Sequence, residues 1–360
     1  MRKGRPSSLP VAALVLAVIA VQVATGLADR SQYLTQLTMA GYYSLVIVGL
    51  TLLMGYTGQI SIGHAGFFAI GGYVSALLTT YNLHESADSC FVRLLRGLHL
   101  LAAGQDLYGG ELLVCKPWVA CVAAVLITTL VAYVVGKPVL KLRGHYLAMA
   151  TLGFGTIVYK VVLGSSLVGA ADGISEVPAF PLGLGLQVSG DSALRVQNYY
   201  LAWGLVALAM LLLTNLINSR VGRALRAIHG AEDAAAAMGV DTGRYKLRMF
   251  VLSAALATLG GVFLTHYNGG IGPSEASVMK SVRYVAIVAI GGMANLWGAL
   301  ASGVVLNFLS LRGYFGSYDD AIFGAILVLV MLFAPDGLLR AERPRKLWAR
   351  LRAARKAQPS

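Results

Sequence analysis

The chain has 360 residues, of which 57% are hydrophobic and only 12% are charged. Soluble domains carry about twice that share of charged residues, and their interiors are too small for so many apolar side chains. The composition therefore excludes an ordinary soluble domain and predicts a protein that crosses a membrane several times.

The formal net charge of +13 is concentrated in four segments that flank apolar stretches: residues 2–5, 137–143, 220–248 and 340–356. The rest of the chain has a small acidic excess. Because Lys and Arg accumulate on the cytoplasmic side of membrane proteins, this pattern places the four segments and both termini in the cytoplasm. A nucleic-acid-binding protein is disfavoured, since the charges do not line one face.

Apolar segments long enough to cross a bilayer, which takes about 20 residues, follow one another along the chain. The predicted spans cover residues 9–28, 37–56, 59–80, 117–136, 145–164, 198–217, 249–268, 284–311 and 320–334. The first span follows Arg2, Lys3 and Arg5, as in a signal peptide. Its apolar run is long for a signal peptide, so we expect an uncleaved first helix.

Residues 55–72 read GYTGQISIGHAGFFAIGG, a run of glycines and small hydroxylated residues inside apolar sequence. In a membrane, small residues let helix backbones approach closely, and a break in a helix persists only where protein or a water-filled path surrounds it. The run therefore predicts a broken or tightly packed helix inside a bundle. Its candidate substrate-pathway residues are Gly58, Gln59, Ser61, Gly63, His64, Gly66 and Phe67.

Each of these residues also has a structural interpretation. His64 can be a neutral imidazole that hydrogen-bonds between helices, or it can act in substrate binding or gating. Gln59 and Ser61 have the same two alternatives, interhelical hydrogen bonds being worth about 1 kcal/mol. The glycines of the run are expected mainly to allow close packing; they are Gly63, Gly66, Gly71 and Gly72.

Two long stretches, residues 81–116 and 165–197, fall on the side that the charge pattern makes external. The apolar patch over residues 94–101 predicts a short amphipathic helix at the membrane surface. Cys90 and Cys115 lie in the same stretch and can form a disulfide or remain free thiols. The second stretch is rich in glycine and contains Pro178 and Pro181, which predicts an ordered, irregular loop. Both stretches are either partner surfaces or plain solvated connectors.

The cytoplasmic segment 218–248 contains arginines spaced three apart, which places them on one helical face, towards lipid headgroups or a soluble partner. They are Arg220, Arg223 and Arg226. Residues 232–238 predict a short Ala-rich helix that ends at Gly239, with acidic residues at its start to suit the helix dipole. Such a helix is shaped to dock into a groove on another protein, although a simple surface loop remains the alternative.

The apolar region 284–311 is interrupted at residues 291–298, where Gly291, Gly292 and Asn295 are further candidates for the substrate pathway. The chain can dip in and return here as a re-entrant pair, or cross twice as short half-helices. With both termini inside, the total is eight or ten crossings.

The motifs of common enzymes are absent. There is no GxxxxGK[ST] phosphate loop, no HExxH or CxxC metal spacing and no GxSxG nucleophile motif. The sequence thus predicts neither catalysis nor ATP binding by this chain.

Residues 55–68, GYTGQISIGHAGFF, resemble the signature of branched-chain amino-acid ABC permeases of the LivM type. Three further stretches resemble the family in the same order: KLRGHYLA at 141–148 with TLGFG at 151–155, the arginines with EDAA at 232–235, and FAPDGLL at 333–339. The resemblance covers residues 37–340.

The resemblance implies an all-α, polytopic bundle of eight to ten helices with broken segments in the bacterial inner membrane. Its divisions are an N-terminal segment over 1–8, a permease domain over 9–334 and a basic tail over 335–360. The implied residues that couple to an ATPase are Arg223, Arg226, Glu232, Asp233, Ala234, Ala235 and Gly239.

The implied partners are a second homologous permease, two ATP-binding subunits that hold ATP and Mg²⁺, and an external substrate-binding protein. No cofactor is expected on this chain, and no nucleic acid. The expected activity is the import of branched-chain or related hydrophobic amino acids by alternating access. Urea or short amides are the alternative cargo. A secondary transporter is less favoured, because it predicts Asp, Glu or Arg inside the bundle for ion coupling, and the central spans contain none of these.

Overall fold

The computed structural model describes residues 8–82, 84, 100–105, 111–183 and 185–333. The helices in these ranges are α1 Ser8–Leu27, α2 Tyr33–Thr57, α3 His64–Thr80, α4 Pro117–Val139, α5 His145–Gly164, α6 Arg195–Asn218, α7 Arg220–Gly230, α8 Glu232–Ala237, α9 Thr242–Asn268, α10 Val278–Gly291, α11 Leu296–Leu311 and α12 Asp319–Phe333. The strands are β1 Leu101–Gln105, β2 Glu111–Cys115, β3 Phe180–Gly183 and β4 Leu186–Val188.

Within the described residues, six helices are long and apolar enough to cross a membrane. This confirms the predicted polytopic helix bundle. The span expected from residue 249 begins earlier, at Thr242, because the side chain of Asp241 caps α9 by accepting a hydrogen bond from the Arg244 backbone N–H at 3.1 Å.

Helix α2 forms the centre of the bundle and is buried along almost its whole length. It is uncharged throughout, so every face can pack against protein. Helices α6, α9 and α11 pack along it, and α7 and α10 contact it over shorter stretches. The Tyr42 ring of α2 stacks on Phe263 of α9, with 6.1 Å between the ring centroids.

Helices α3 and α9 lie side by side and run parallel, since His64 pairs with Ser253 and Ser75 with His266. The glycines at their interface have no room for a side chain. A Cβ atom on Gly71 would lie 2.7 Å from the Thr258 carbonyl oxygen, and one on Gly261 would collide with that of Phe68. The close-packing role predicted for Gly71 is thereby confirmed, and Gly72 is equally tight against Thr265.

The stretch 165–197 is ordered and irregular, as predicted. It contains the β3–β4 hairpin, and it is fastened to α9 where His266 Nδ1 donates to the Pro178 carbonyl oxygen at 2.7 Å. Phe180 is fully buried there, with its ring centroid 4.9 Å from that of Trp118 and 5.2 Å from that of Phe263.

The stretch 81–116 differs in part from expectation. Leu101 belongs to strand β1, which pairs with β2 in an antiparallel hairpin, because backbone pairing with 111–115 satisfies its polar groups. The rest of the expected helix, up to residue 99, lies outside the described residues, as does Cys90. Cys115 is a free, buried thiol, and burial raises its pKa.

The basic ends of the chain, residues 2–5 and the tail over 335–360, also lie outside the described residues. So does most of the closing motif at 333–339. The cytoplasmic orientation of both termini and the number of crossings therefore stay predictions.

Candidate substrate pathway and coupling surface

The first predicted break is present. Helix α2 ends at Thr57, Gly58 takes a left-handed conformation with φ of 71°, and α3 begins only at His64. His64 is hydrogen-bonded to Ser253 of α9. Ser253 also packs on Gly49, in the middle of α2, where an added Cβ atom would lie 3.1 Å from the Ser253 carbonyl oxygen. His64 therefore lies alongside the middle of α2. The connection 58–63 therefore turns back into the bundle.

His64 bridges this connection and α9. The hydroxyl of Ser61 lies 2.9 Å from His64 Nδ1, and that of Ser253 lies 2.8 Å from Nε2. Because the Ser253 hydroxyl donates to the Phe250 carbonyl oxygen at 3.0 Å, it accepts from an Nε2–H, and Nδ1 is left to accept from Ser61. His64 is 1% exposed, and such burial favours a neutral imidazole. Its contact to Ser253 of α9 is the expected interhelical hydrogen bond, whereas Ser61 bonds only to His64, three residues further along the same connection.

Ser253→Ala should therefore destabilise the chain. It would leave the buried Nε2–H of His64 without an acceptor, which costs about 1–3 kcal/mol. Thermal unfolding of the purified chain should show a lowered midpoint, whereas Ser175→Ala, at an exposed serine, should not. Equal midpoints for the two variants would contradict the assigned network.

Gln59 is different. Its side chain is 2% exposed, yet neither its Oε1 nor its Nε2 atom has a hydrogen-bond partner among the described residues. The prediction of an interhelical hydrogen bond is therefore wrong for Gln59. The turn at Gly58 fixes the backbone of Gln59 at a position where its side-chain amide makes no hydrogen bond to the described residues. Gln59 remains a pathway candidate, with its amide group free to bind.

The other candidates of the first break pack tightly. A Cβ atom on Gly63 would collide with the Thr151 carbonyl oxygen, and one on Gly66 would lie 3.3 Å from the Phe154 ring. Phe67 is fully buried, with 4.7 Å between its ring centroid and that of Phe154. The stretch 151–155 of α5 therefore holds the first break in place.

The second predicted break is also present, between α10 and α11. Gly292 ends α10 with φ of 93°, and Asn295 is the residue that precedes the first turn of α11. The two helices form an antiparallel hairpin, in which Gly291 packs directly on Ala299 and the Ser302 hydroxyl donates to the Ile287 carbonyl oxygen at 3.1 Å.

The two breaks meet. The backbone of Gly55 packs against the Met293 carbonyl group so closely that a Cβ atom would collide with it. The neighbouring Tyr56 hydroxyl donates to the Ala294 carbonyl oxygen at 2.9 Å. The turn of the α10–α11 hairpin therefore rests on the residues that immediately precede the first break.

Helix α7 packs against the first break. Its apolar side chains Leu225 and Ile228 are buried, and Arg223 and Arg226 are exposed, as is Arg220. His229 faces Gly58, where an added Cβ atom would lie 3.1 Å from the imidazole Nδ1. The segment 218–248 and the first break are thus in direct contact.

Helix α8 is the predicted docking helix, and it ends at Ala237, one residue earlier than expected. Gly239 follows it with φ of 84°, the left-handed conformation predicted for the close of this helix. Glu232 forms an ion pair with Lys246 of α9, whose side chain is only 9% exposed. Asp233 pairs with Arg143 at 3.0 Å, and this hydrogen bond raises the pKa of the guanidinium. Helix α8 is thus held by one ion pair to α9 and by one to the connection between α4 and α5, whose side chains are 68% and 82% exposed.

The outer face of α8 carries small side chains and is exposed. Ala235 is buried towards the bundle, whereas Ala234, Ala236 and Ala237 are exposed and Met238 is 85% exposed. Exposed large apolar side chains of this kind are typical of contact surfaces between proteins.

Sequence reasoning missed one charged group. Residues 269–283 lie between two predicted spans, and the structure packs Glu275 and Lys280 of this stretch against Tyr43 of α2. The one available signal was a Glu and a Lys five residues apart next to a predicted span. Within the described ranges, no group of three or more His, Cys, Asp or Glu side chains is placed to hold a metal ion.

Comparison with known families identifies the architecture. The family model described as branched-chain amino acid transport system / permease component matches residues 32–332, which include both breaks and the cytoplasmic segment. The chain belongs to this family. The predicted resemblance is confirmed.

Several curated permeases are similar to the chain over most of its length. It is 31% identical to the high-affinity branched-chain amino acid transport system permease protein LivM of Salmonella typhimurium, over 85% of this chain and 70% of the relative. The LivM protein of Escherichia coli is also 31% identical, over 93% and 75%. The LivH permease protein of Escherichia coli is 27% identical, over 86% and 94%. No solved structure matches.

Membership of the permease family makes the chain a transport subunit and not an enzyme. It is a multi-pass protein of the inner membrane, in agreement with its six long apolar helices.

Proposed function

We propose that this chain is one half of the membrane channel of an ABC importer for branched-chain amino acids. The match to permease components over residues 32–332 carries the proposal. Relatives named LivM and LivH are distinct permease proteins of such systems, and both are similar to this chain. Their joint similarity supports a heterodimer of two homologous permeases, fed by an external binding protein.

Two ATP-binding subunits dock on the cytoplasmic side and hold ATP and Mg²⁺. Helix α8 is the contact for one of them, because its alanine face and Met238 are exposed. The exposed residues Arg223 and Arg226 provide a cationic rim beside this contact, while Asp233 is engaged by Arg143.

Movement of α8 reaches the pathway through α9. The Glu232–Lys246 pair joins the two helices, and Ser253 lies two turns beyond Lys246 on α9, where it holds His64 at the start of α3. A second route runs from His229 of α7 to Gly58. Closure of the ATPase subunits thus shifts both sides of the first break, and the pathway opens alternately to each side of the membrane.

The test is reconstitution. The chain, co-purified with the partners encoded beside its gene, is placed in proteoliposomes that contain ATP, with the binding protein outside. We expect leucine uptake that requires ATP and persists when ion gradients are clamped. Uptake of urea but not leucine would assign the alternative cargo, and uptake without ATP that follows an ion gradient would refute the ABC assignment.

A further inference from the structure

A charged cluster lies where α2, α3 and α10 meet. The Tyr43 hydroxyl donates to Glu275 Oε1 at 2.9 Å. The Lys280 ammonium donates to the Tyr43 hydroxyl and to the same carboxylate oxygen, each at 3.0 Å, and lies 4.6 Å from the Tyr43 ring centroid. Tyr73 and Tyr284 complete the cluster. We call these five residues the tyrosine–ion-pair cluster.

Three polar atoms of this cluster have no hydrogen-bond partner among the described residues. They are Glu275 Oε2 and the hydroxyl oxygens of Tyr73 and Tyr284. The two tyrosines are 3% and 1% exposed, and both lie within electrostatic range of the Glu275 carboxylate. A buried polar group left without a partner destabilises a fold, so three at one place are not explained by stability.

The ion pair is not explained by stability either. Replacing a buried ion pair by apolar residues is often neutral or stabilising, since desolvation of the two charges offsets their attraction. Ionisable residues inside a membrane bundle instead mark substrate or ion pathways. Glu275 and Lys280 are also accessible from the surface, with side chains 17% and 21% exposed.

We infer that the tyrosine–ion-pair cluster binds the zwitterionic head of an α-amino acid. The ammonium group donates to Glu275 Oε2, and the carboxylate accepts from the Tyr73 and Tyr284 hydroxyls and from Lys280. The cluster and the ligand are each neutral overall, so binding buries no net charge. This inference rests on the proposed function and names a binding site for it within this chain.

The surroundings fit an apolar side chain. Phe68 stacks on Tyr43 with 5.6 Å between the ring centroids. Tyr73 belongs to a buried apolar group with Val158, Ile271 and Ala276. A branched aliphatic side chain would contact this apolar wall, whereas urea has neither the opposite charges for the ion pair nor a side chain for the wall.

The first test uses Tyr73→Phe and Tyr284→Phe in the full reconstituted complex. Each change removes only a hydroxyl that has no hydrogen-bond partner among the described residues, so the thermal midpoint should stay unchanged or rise. Because the external binding protein sets how uptake depends on leucine concentration, leucine binding is measured on the purified complex without that protein. Hydrogen bonds to charged groups are strong, so we expect each variant to raise the Kd for leucine about tenfold or more. The matched control is Tyr81→Phe, at a tyrosine that is 51% exposed, and its Kd should equal that of the wild type.

The second test uses ligand analogues that lack one charge. Unlabelled 4-methylpentanoate lacks the ammonium group and should compete poorly with leucine for the wild-type complex when the binding protein is left out. Glu275→Gln should weaken leucine binding to this complex and remove most of the discrimination, whereas Glu176→Gln, at an exposed glutamate, should keep it. Such a change in specificity is not produced by a merely structural role.

The outcomes separate the two proposals. A wild-type complex that does not import leucine would overturn the proposed function. Import by the wild type with an unchanged Kd for leucine in both phenylalanine variants would overturn the binding site alone. A lowered thermal midpoint in those variants, with unchanged Kd, would show that the hydroxyls are structural and would equally overturn it.

Discussion

Glu232→Ala should abolish ATP-dependent uptake. The substitution leaves the Lys246 ammonium, whose side chain is 9% exposed, without its partner, and breaking a buried ion pair in this way costs about 3–5 kcal/mol. It also releases α8 from α9, so that movement of the docking helix no longer reaches Ser253 and His64. We expect both a lower thermal midpoint of the purified chain and uptake at background level.

A second substitution separates the two effects. In Glu232→Ala with Lys246→Met no charge is left unpaired, so the thermal midpoint should largely recover. Uptake should stay at background, because the link between α8 and α9 is still missing. Recovery of uptake together with stability would show that the ion pair serves folding alone.

The matched control removes an exposed ion pair from the same segment. Arg244 pairs with Asp241 at 2.9 Å, and their side chains are 78% and 52% exposed. Such pairs contribute about 0–1 kcal/mol, so Arg244→Ala should leave both uptake and the thermal midpoint close to wild type.

The two breaks and most spans could be predicted from sequence, because their signals are local. An uncharged apolar run of sufficient length predicts a span, and a glycine cluster within it predicts a break. The end of α2 at Thr57 and the break after Gly291 follow these signals. Helix α8 was equally predictable, since acidic residues begin it, alanines continue it and Gly239 follows two residues after its end.

The contacts that give these elements a function could not be predicted in the same way. His64 meets Ser253 across 189 positions of sequence, and Tyr43 meets Glu275 across 232. No periodicity or composition connects residues so far apart. For the same reason, charges counted within the predicted spans could not reveal that folding packs Glu275 and Lys280, which lie between two spans, against Tyr43 of α2.

The second large effect is expected at the interface of α3 and α9, where glycines let the two helix backbones touch. In Gly261→Ala the new Cβ atom would collide with the Phe68 carbonyl group and approach the Gly72 backbone nitrogen to 3.2 Å. Backbone atoms cannot turn away as a side chain does, so the two helices must separate. Overpacking of this kind costs about 1–3 kcal/mol.

Separation would also stretch the hydrogen bonds from His64 to Ser253 and from Ser75 to His266, both 2.8 Å long, each of which contributes about 1 kcal/mol. We therefore expect Gly261→Ala to destabilise the chain by about 3 kcal/mol or more and to abolish uptake. Thermal unfolding in detergent measures the first effect, and reconstituted transport the second.

Gly204→Ala is the matched control, since Gly204 lies inside α6 and an added Cβ atom would meet nothing within 4 Å. Alanine in a helix interior is favoured over glycine by about 0.5–1 kcal/mol, so this variant should be as stable as the wild type or more so. If Gly261→Ala behaved like Gly204→Ala, the helices would have to stand further apart than the structure places them. In that case Ser253 could not hold His64, and the route from Lys246 through α9 to the first break would be lost with that contact.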